Sequence, residues 1–170
     1  MHIARTKAVF GFPDKNQTEG WEFHITEMDL FKGLDLTVMG EIADTACTET
    51  SYEKGTVLFN EGDPADNLYI LYKGVVDLKI GEIKTVYRLT ATSEIFGWSS
   101  LVENALYTAT AIAETDIQVV KIDSRKMNRL FEANALFGLT VYRRLSAIFN
   151  KRLSGIYNRF LSIERTGGHR

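Results

Sequence analysis

Histidine and carboxylate side chains are common ligands of catalytic metals, and this sequence places few of them in a suitable pattern. The three histidines are His2, His24 and His169, two of them near the ends of the chain and none in a predicted strand. A metal-binding jelly roll of the cupin type needs histidines and carboxylates that converge inside the barrel. The sequence therefore predicts no metal site, and a cupin-type enzyme is the least favoured interpretation.

The candidate nucleophiles also lack nearby catalytic partners in the sequence. Ser99 and Ser100 have no histidine base near them in sequence, and no Walker loop, nucleophile elbow or HExxH motif occurs. Cys47 lies in an apolar helical pattern, which favours a small core residue over a reactive thiol. We therefore predict a protein that is not an enzyme and has no resident cofactor.

The middle of the chain is predicted to form short strands, which would position the candidate residues. Segments rich in β-branched and aromatic residues are separated by Gly or Asp turns, a pattern typical of a sandwich or jelly roll. The predicted strands cover residues 56–59, 68–72, 75–80, 84–90, 107–113 and 117–122.

Helical patterns flank the strands. Apolar residues recur at helical spacing over 36–47, Ser124 is a suitable N-cap for a helix over 125–133, and a longer helix is predicted over 134–163. Apolar residues in the long helix are three or four apart, close to a heptad seam. The predicted dimer seam contains Tyr142, Leu145, Phe149, Leu153, Ile156 and Phe160, and continues to Ile163. We predict that this seam pairs two chains in a homodimer; the alternative is that it packs on its own domain.

The composition is that of a soluble globular protein, with 45% hydrophobic and 25% charged residues and a net charge of −2. The first residues are polar and no apolar run is long enough to span a bilayer, so we expect a cytoplasmic protein with no secretory signal. Residues from 124 onward are strongly basic, which favours packing of this part against its own acidic body over an external acidic partner. The predicted divisions are an irregular extension over 1–28, a strand-rich domain over 29–134, and a long helix with a tail over 135–170.

Taken in order, residues 29–163 resemble the cyclic nucleotide-binding domain, in particular the sensor half of the catabolite activator protein group. The segments that carry the resemblance are LFKGL at 30–34, YEKGTVLFNEGD at 52–63, ADNLYILYKGVVDL at 65–78, EIFG at 94–97 and TAT at 108–110. The resemblance implies a mainly β fold with flanking helices, an eight-stranded double-stranded β-helix or jelly roll followed by a long C-terminal helix.

The resemblance also implies a ligand-binding cassette, which is a short turn and helix between two strands and here covers residues 96–110. Backbone amides near Gly97 to Ser100 would form an anion seat at the start of that helix, and nearby hydroxyls would add donors. The candidate ligand-binding residues are Phe96, Gly97, Trp98, Ser99, Ser100, Tyr107, Thr108 and Ala109.

Two side chains depart from the family pattern. The family usually has Glu after Phe-Gly, where it accepts hydrogen bonds from the ribose, but here Trp98 stands in its place. The family also usually has Arg before the Thr-Ala pair, where it neutralises the cyclic phosphate, but here Tyr107 stands there. Losing two charged hydrogen bonds weakens binding by roughly a hundred-fold to ten-thousand-fold. Arg88, on a preceding strand, is a possible substitute cation whose facing the sequence does not fix.

Three interpretations of the pocket follow. The first is a ligand other than a cyclic nucleotide, more aromatic and carrying an anionic group, which suits Trp98 and Tyr107. The second is a pocket filled by these two residues, so that nothing binds. The third is a cyclic nucleotide held through the amide seat, with Trp98 stacked on the base.

The function favoured by the sequence is a regulatory domain that senses a small molecule and signals through a dimeric C-terminal helix to a downstream protein partner. The alternative from another class is a ligand-free structural or interaction module. In the activator group a helix-turn-helix follows the long helix, and no such module can be read after Ile163, so we expect no direct DNA reading by this chain and no membrane partner.

Overall fold

In the part of the chain that the structure describes, eight strands form two antiparallel sheets, and helices flank them. The structure is a computed structural model that describes residues 30–81, 84–90, 93–103 and 105–167, with no side-chain environments for residues 36, 84 and 158–167. The strands are β1 (Cys47–Tyr52), β2 (Val57–Phe59), β3 (Asn67–Lys73), β4 (Val76–Ile80), β5 (Lys84–Leu89), β6 (Ile95–Phe96), β7 (Thr110–Ala113) and β8 (Ile117–Asp123). The helices are α1 (Leu36–Ala46), a short 3-10 helix (Trp98–Leu101), α2 (Ser124–Ala133) and α3 (Ala135–Gly167).

The strand order is β1-β8-β3-β6 in the first sheet and β2-β7-β4-β5 in the second. All described pairs are antiparallel, including β3 with β8 and β4 with β7. This arrangement, with flanking helices, confirms the predicted mainly β fold of the jelly-roll type. Within the described residues, no helix is long and apolar enough to cross a bilayer.

Alternation along β8 explains why the described residues form two apolar cores. Successive side chains of a strand point to opposite faces, so Ile117 and Val119 lie in the core between the two sheets. Val120 and Ile122 lie on the other face of the first sheet, in a core shared with the helices. The first sheet therefore separates the interior of the roll from the layer of helices.

The predicted strands are found with shifted ends, and two strands were missed. β1 has the polar sequence CTETSY and no apolar alternation, and it forms because it pairs with β8 along its whole length. β6 has only two residues. Cys47, predicted at the end of a helix, begins β1; burial raises the pKa of its thiol to about 12, as expected of an unreactive thiol.

The strand predicted over residues 107–113 begins three residues later, at Thr110. Tyr107 does not join the sheet ladder because its N–H donates to Asp63 O at 2.9 Å and its carbonyl accepts from Gly62 N at 2.9 Å. Tyr107 is therefore fixed by the loop that follows β2, and its side chain is placed independently of β7.

The helix ends differ slightly from prediction. Asp123, and not Ser124, is the N-cap of α2, because its carboxylate accepts the Lys126 N–H at 3.0 Å. α3 begins at Ala135, after Asn134, whose side chain accepts the Phe137 N–H at 3.2 Å. The predicted extension over residues 1–28 lies outside the described residues.

The predicted seam on α3 is divided between the core and the surface. Leu145 is 1% exposed and packs in the core beside Val141, so the structure corrects its assignment to a seam between chains. The reason is that the first part of α3 covers the first sheet of its own domain. The remaining described seam residues are exposed by 37–46%: Tyr142, Phe149, Leu153 and Ile156. The side chain of Phe160 lies outside the described residues.

Candidate functional site

The predicted cassette is a sharp turn followed by a single short helix. Phe96 ends β6, Gly97 has a left-handed φ of 75°, and the four-residue 3-10 helix follows. A Cβ on Gly97 would meet Asn67 O at 2.9 Å and the Tyr69 ring at 3.1 Å. The turn therefore needs glycine both for its backbone conformation and for its close approach to β3.

The predicted anion seat is only partly open. The Ser100 N–H already donates to Gly97 O at 3.1 Å, and no side chain caps the 3-10 helix. Ser100 is 5% exposed, and its Oγ has no hydrogen-bond partner among the described residues. Ser99 and Ala109 are half-buried and Thr108 is exposed, so the predicted hydroxyls do not converge on one buried point.

Tyr107 is a buried side chain with its hydroxyl bonded to the backbone. The residue is 4% exposed, and its ring stacks on Phe59 with 3.7 Å between centroids and 14° between planes. Its hydroxyl donates to Asn67 O at 2.8 Å and accepts from Asn67 N at 3.1 Å. Burial raises the pKa of the phenol, so the residue at the position of the usual cation is neutral at ordinary pH.

Tyr107 belongs to an interior aromatic cluster, defined here as Phe59, Tyr69, Phe96 and Tyr107. Tyr69 lies 5.1 Å from Phe96 and 5.6 Å from Phe59 between ring centroids. Burial also raises the pKa of Tyr69 above its ordinary value. The interior of the roll next to Gly97 is thus occupied by rings, without a charged side chain in the cluster.

Trp98 lies on a different side of the cassette, in contact with the C-terminal helix. Its ring meets Phe149 edge-on with 4.8 Å between centroids. The Arg152 guanidinium carbon lies 4.5 Å from the centroid of the Trp98 ring and 4.5 Å from the centroid of the Tyr87 ring. Arg152 Nη2 also donates to Ile95 O at 2.6 Å. One strand of the second sheet, the cassette and α3 therefore meet at this arginine.

Arg152 is half-buried, so its charge is only partly withdrawn from water. Burial lowers the pKa of its guanidinium, while Tyr87 and Glu94 act in the opposite direction. The Glu94 carboxylate accepts the Tyr87 hydroxyl at 3.0 Å and the Thr90 N–H at 2.8 Å. Arg152 Nη1 is buried and has no hydrogen-bond partner in the described part of the chain.

Arg88, the possible substitute cation, is committed to an ion pair. Its Nε and Nη2 donate to the Asp77 carboxylate at 2.6 and 2.7 Å, and Thr85 Oγ1 donates at 3.1 Å. The bonds from Arg88 hold the pKa of Asp77 below its ordinary value, although burial opposes this. Asp77 is on β4 between Val76 and Leu78, which face the interior core, so this pair lies on the outer face of the second sheet.

Sequence reasoning brought Trp98 and Tyr107 together in one pocket, but the structure places them in different surroundings. It also adds partners that the sequence did not indicate: Phe59 and Asn67 for Tyr107, and Tyr87 and Arg152 for Trp98. The only signal for Arg152 was its place in the long helix beside Leu153, where a solvated flank was the simpler interpretation.

Metal sites and cavities away from the cassette are the other kinds of candidate site in the described residues. Among the described residues, no three His, Cys, Asp or Glu side chains could hold a metal ion. A separate cavity of about 300 Å³ lies by the first sheet and the start of α2 and contains none of the predicted ligand-binding residues. It is lined by Ala46, Thr48, Thr50, Tyr52, Asn67, Lys121, Asp123 and Lys126.

A family model described as the cyclic nucleotide-binding domain matches residues 49–134. A cAMP-dependent protein kinase regulatory subunit of Candida albicans is 31% identical over 132 residues, which are 78% of this chain and 25% of that protein. A cGMP-dependent 3',5'-cGMP phosphodiesterase A of Dictyostelium discoideum is 32% identical over 99 residues, which are 58% of this chain and 11% of that protein. The chain therefore spans a quarter or less of the length of these two relatives.

Solved structures support the same similarity. The crystal structure of a putative cyclic nucleotide-binding protein from Geobacter metallireducens is 29% identical with a TM-score of 0.71, covering 78% of this chain and 98% of that one. The catabolite activator protein of Thermus thermophilus is 24% identical with a TM-score of 0.62, covering 80% of this chain and 64% of that one. At this lower identity, the second similarity shows the fold alone.

Proposed function

Because the chain belongs to the cyclic nucleotide-binding domain family, we propose that it is a small-molecule-sensing regulatory domain with an altered ligand pocket. It acts without catalysis, in the cytoplasm, and signals through its C-terminal helix to a protein partner. The ligand is a small aromatic molecule carrying an anionic group, and a cyclic nucleotide binds weakly or not at all.

The contact between the cassette and α3 is the observation that carries this proposal. Trp98, at the position of the usual ribose-binding Glu, packs on Phe149 and under Arg152, and both of these residues belong to α3. A ligand that moves the Trp98 ring must therefore change the packing of α3. Such a ligand shifts the helix only as far as its affinities for the two arrangements differ.

The altered chemistry of the pocket supports a ligand change. A bound cyclic phosphate would need a cation in the interior of the roll, since burying an unpaired anion is costly. Tyr107 supplies none there, and Arg88 is already paired with Asp77. The rings of Trp98 and Tyr87, which lie against Arg152, suit contact with a flat aromatic ligand better than with a sugar phosphate.

The exposed part of the seam supports signalling through a homodimer. Phe149, Leu153 and Ile156 are each 37–46% exposed on one helix. A row of apolar side chains on a surface helix is typical of a helix–helix interface. A symmetric pair of α3 helices would place two cassettes beside one shared interface.

A thermal-unfolding panel of aromatic carboxylic acids, with hydrogen exchange measured along α3, tests the proposal. We expect at least one acid to raise the midpoint and to alter exchange in α3. A ligand at 100 times its dissociation constant contributes about 2.7 kcal/mol, an effect large enough to be measured in this way. A compound that stabilises the protein without altering α3 would contradict signalling through this helix.

A ligand-free structural or interaction module is the second candidate. The interior aromatic cluster favours it, because the stacked and hydrogen-bonded Tyr107 leaves the interior beside Gly97 filled. This candidate predicts that no compound in the panel changes the unfolding midpoint.

A further inference from the structure

The Arg152 guanidinium carries a buried hydrogen-bond donor without an acceptor. Nη2 donates to Ile95 O at 2.6 Å, whereas Nη1 has no partner among the residues with described side chains and is shielded from water. Leaving a buried charged donor unpaired is costly, and proteins usually satisfy such groups. The unpaired Nη1 therefore marks a place where an acceptor from outside the chain would be stabilised.

The surroundings of this donor limit the chemistry of that acceptor. The rings of Tyr87 and Trp98 lie 4.5 Å from the guanidinium carbon, so anything beside the guanidinium also meets aromatic surface. The nearby Glu94 carboxylate accepts from Tyr87 and from Thr90 N. Glu94 and Tyr87 both favour the charged guanidinium and raise its pKa, but neither accepts a hydrogen bond from Nη1. A planar guanidinium binds carboxylates and phosphates through parallel N–H groups, which a neutral acceptor matches less well.

We propose that Arg152 is the anion-binding residue of this domain and that its Nη1 receives the carboxylate or phosphate of a small aromatic ligand beside Tyr87 and Trp98. This rests on the proposed sensing function and names the class of ligand. The cation comes from α3, whereas the family pattern places it in the cassette. The ligand would then join the cassette directly to the signalling helix.

Because Nη1 is shielded, ligand binding at this site requires a movement of α3. A ligand reaches Nη1 only if α3 and the cassette separate, because the atom is buried in the present arrangement. Phe149 lies against Trp98 at the edge of the same contact and must move with them. Binding and movement of α3 are therefore linked at a single residue.

Titrations of the Trp98 indole signal by NMR test the proposal. The full chain carries Trp21→Phe, so that Trp98 is the single indole of a sequence with two tryptophans. The probes are benzoate, phenyl phosphate and the neutral benzamide. The variants are Arg152→Met, which keeps an aliphatic stem, Arg152→Lys, which keeps the charge, and Lys151→Met, which removes a charge from the exposed neighbouring position.

We expect saturable shifts with benzoate or phenyl phosphate, and the tighter of the two identifies the anion. Arg152→Met should weaken that binding roughly ten-fold to a hundred-fold, the range for a charged hydrogen bond, and Arg152→Lys should weaken it less. Lys151→Met should bind like the unmodified chain, and benzamide should bind weakly in every variant. Thermal unfolding of each variant checks that it folds, and Arg152→Lys carries the comparison should Arg152→Met fail to fold.

Three results would overturn the proposal: no saturable shift with either anion, equal affinity in Arg152→Met, or benzamide as the tightest probe. The proposed sensing function would survive each of them if another compound in the thermal panel altered exchange in α3. A silent panel, in contrast, would remove the sensing function itself.

Discussion

Tyr107 and Arg88 show how single residues redistribute the charges of the family's pocket. Tyr107 occupies the position of a cation with a neutral ring that stacks on Phe59 and bonds to Asn67. Arg88, the substitute cation considered from the sequence, holds the buried Asp77 on the outer face of the second sheet. Neither residue therefore supplies a cation to the interior of the roll: Tyr107 is uncharged, and Arg88 faces outward.

The Arg88–Asp77 pair predicts a pH dependence of stability. The folded-state pKa of Asp77 lies below its ordinary value of 3.8, chiefly because Arg88 donates to it. The ionised pair therefore stabilises the fold above about pH 4, and this contribution is lost as the pH falls through the lower folded-state pKa. The free energy of unfolding of the unmodified chain should thus approach that of Asp77→Asn as the pH falls below about 4 and through the lower folded-state pKa.

Urea unfolding at several pH values measures this difference. Asp44→Asn, at an exposed position on α1, is the control for removing one carboxylate. A difference between the unmodified chain and Asp77→Asn that stays constant down to pH 2 would contradict the assignment of the stabilisation to this ion pair.

The cassette turn is the element whose geometry most restricts its sequence. We expect Gly97→Ala to destabilise the fold by about 1–3 kcal/mol from its positive φ alone, with a further loss because the new Cβ meets Asn67 O at 2.9 Å. Gly62→Ala is the matched control, since Gly62 has a φ of 86° and nothing within 4 Å of an added Cβ. Denaturant unfolding of both variants separates the two effects, and equal losses would show that the close approach to β3 is unimportant.

The elements differ in how far the sequence predicts them. Strands with apolar alternation or turn glycines, such as β3 and β8, are predicted to within one or two residues at each end because their own residues carry the signal. β1 was missed because its six residues are mostly polar, and only its partner β8 makes it a strand. Long-range pairing of this kind leaves no local pattern in a sequence.

The candidate site is also predicted only in part from the sequence. The family resemblance implies a cassette over residues 96–110, and the structure has the Gly97 turn and a short 3-10 helix there. The sequence does not fix the facing of side chains, so the burial of Tyr107 and the contact of Trp98 with Arg152 could not be predicted. The latter contact joins residues 54 positions apart and depends on how α3 packs against the roll.

The molecule as a whole presents an apolar row on α3 that we expect to form a dimer. Leu153 and Ile156 are each 46% exposed, so a double change, Leu153→Glu with Ile156→Glu, should convert a dimer to monomers without unfolding the domain. Leu136→Glu, at a position 75% exposed, is the matched control and should remain dimeric. Sedimentation velocity at several concentrations measures the oligomeric state of the unmodified chain, the double variant and the control. An unmodified chain that stays monomeric at the highest concentration would refute the interface.

Calorimetric titration of the full chain with cyclic AMP tests the altered pocket most directly. With a phenol and an indole in place of the usual guanidinium and carboxylate, we expect binding weaker than that of an intact family pocket by roughly a hundred-fold or more. The titration should then show no stoichiometric saturation at micromolar concentrations of cyclic AMP. One molecule bound per chain with a micromolar dissociation constant would contradict this view of Trp98 and Tyr107, although the fold would stand.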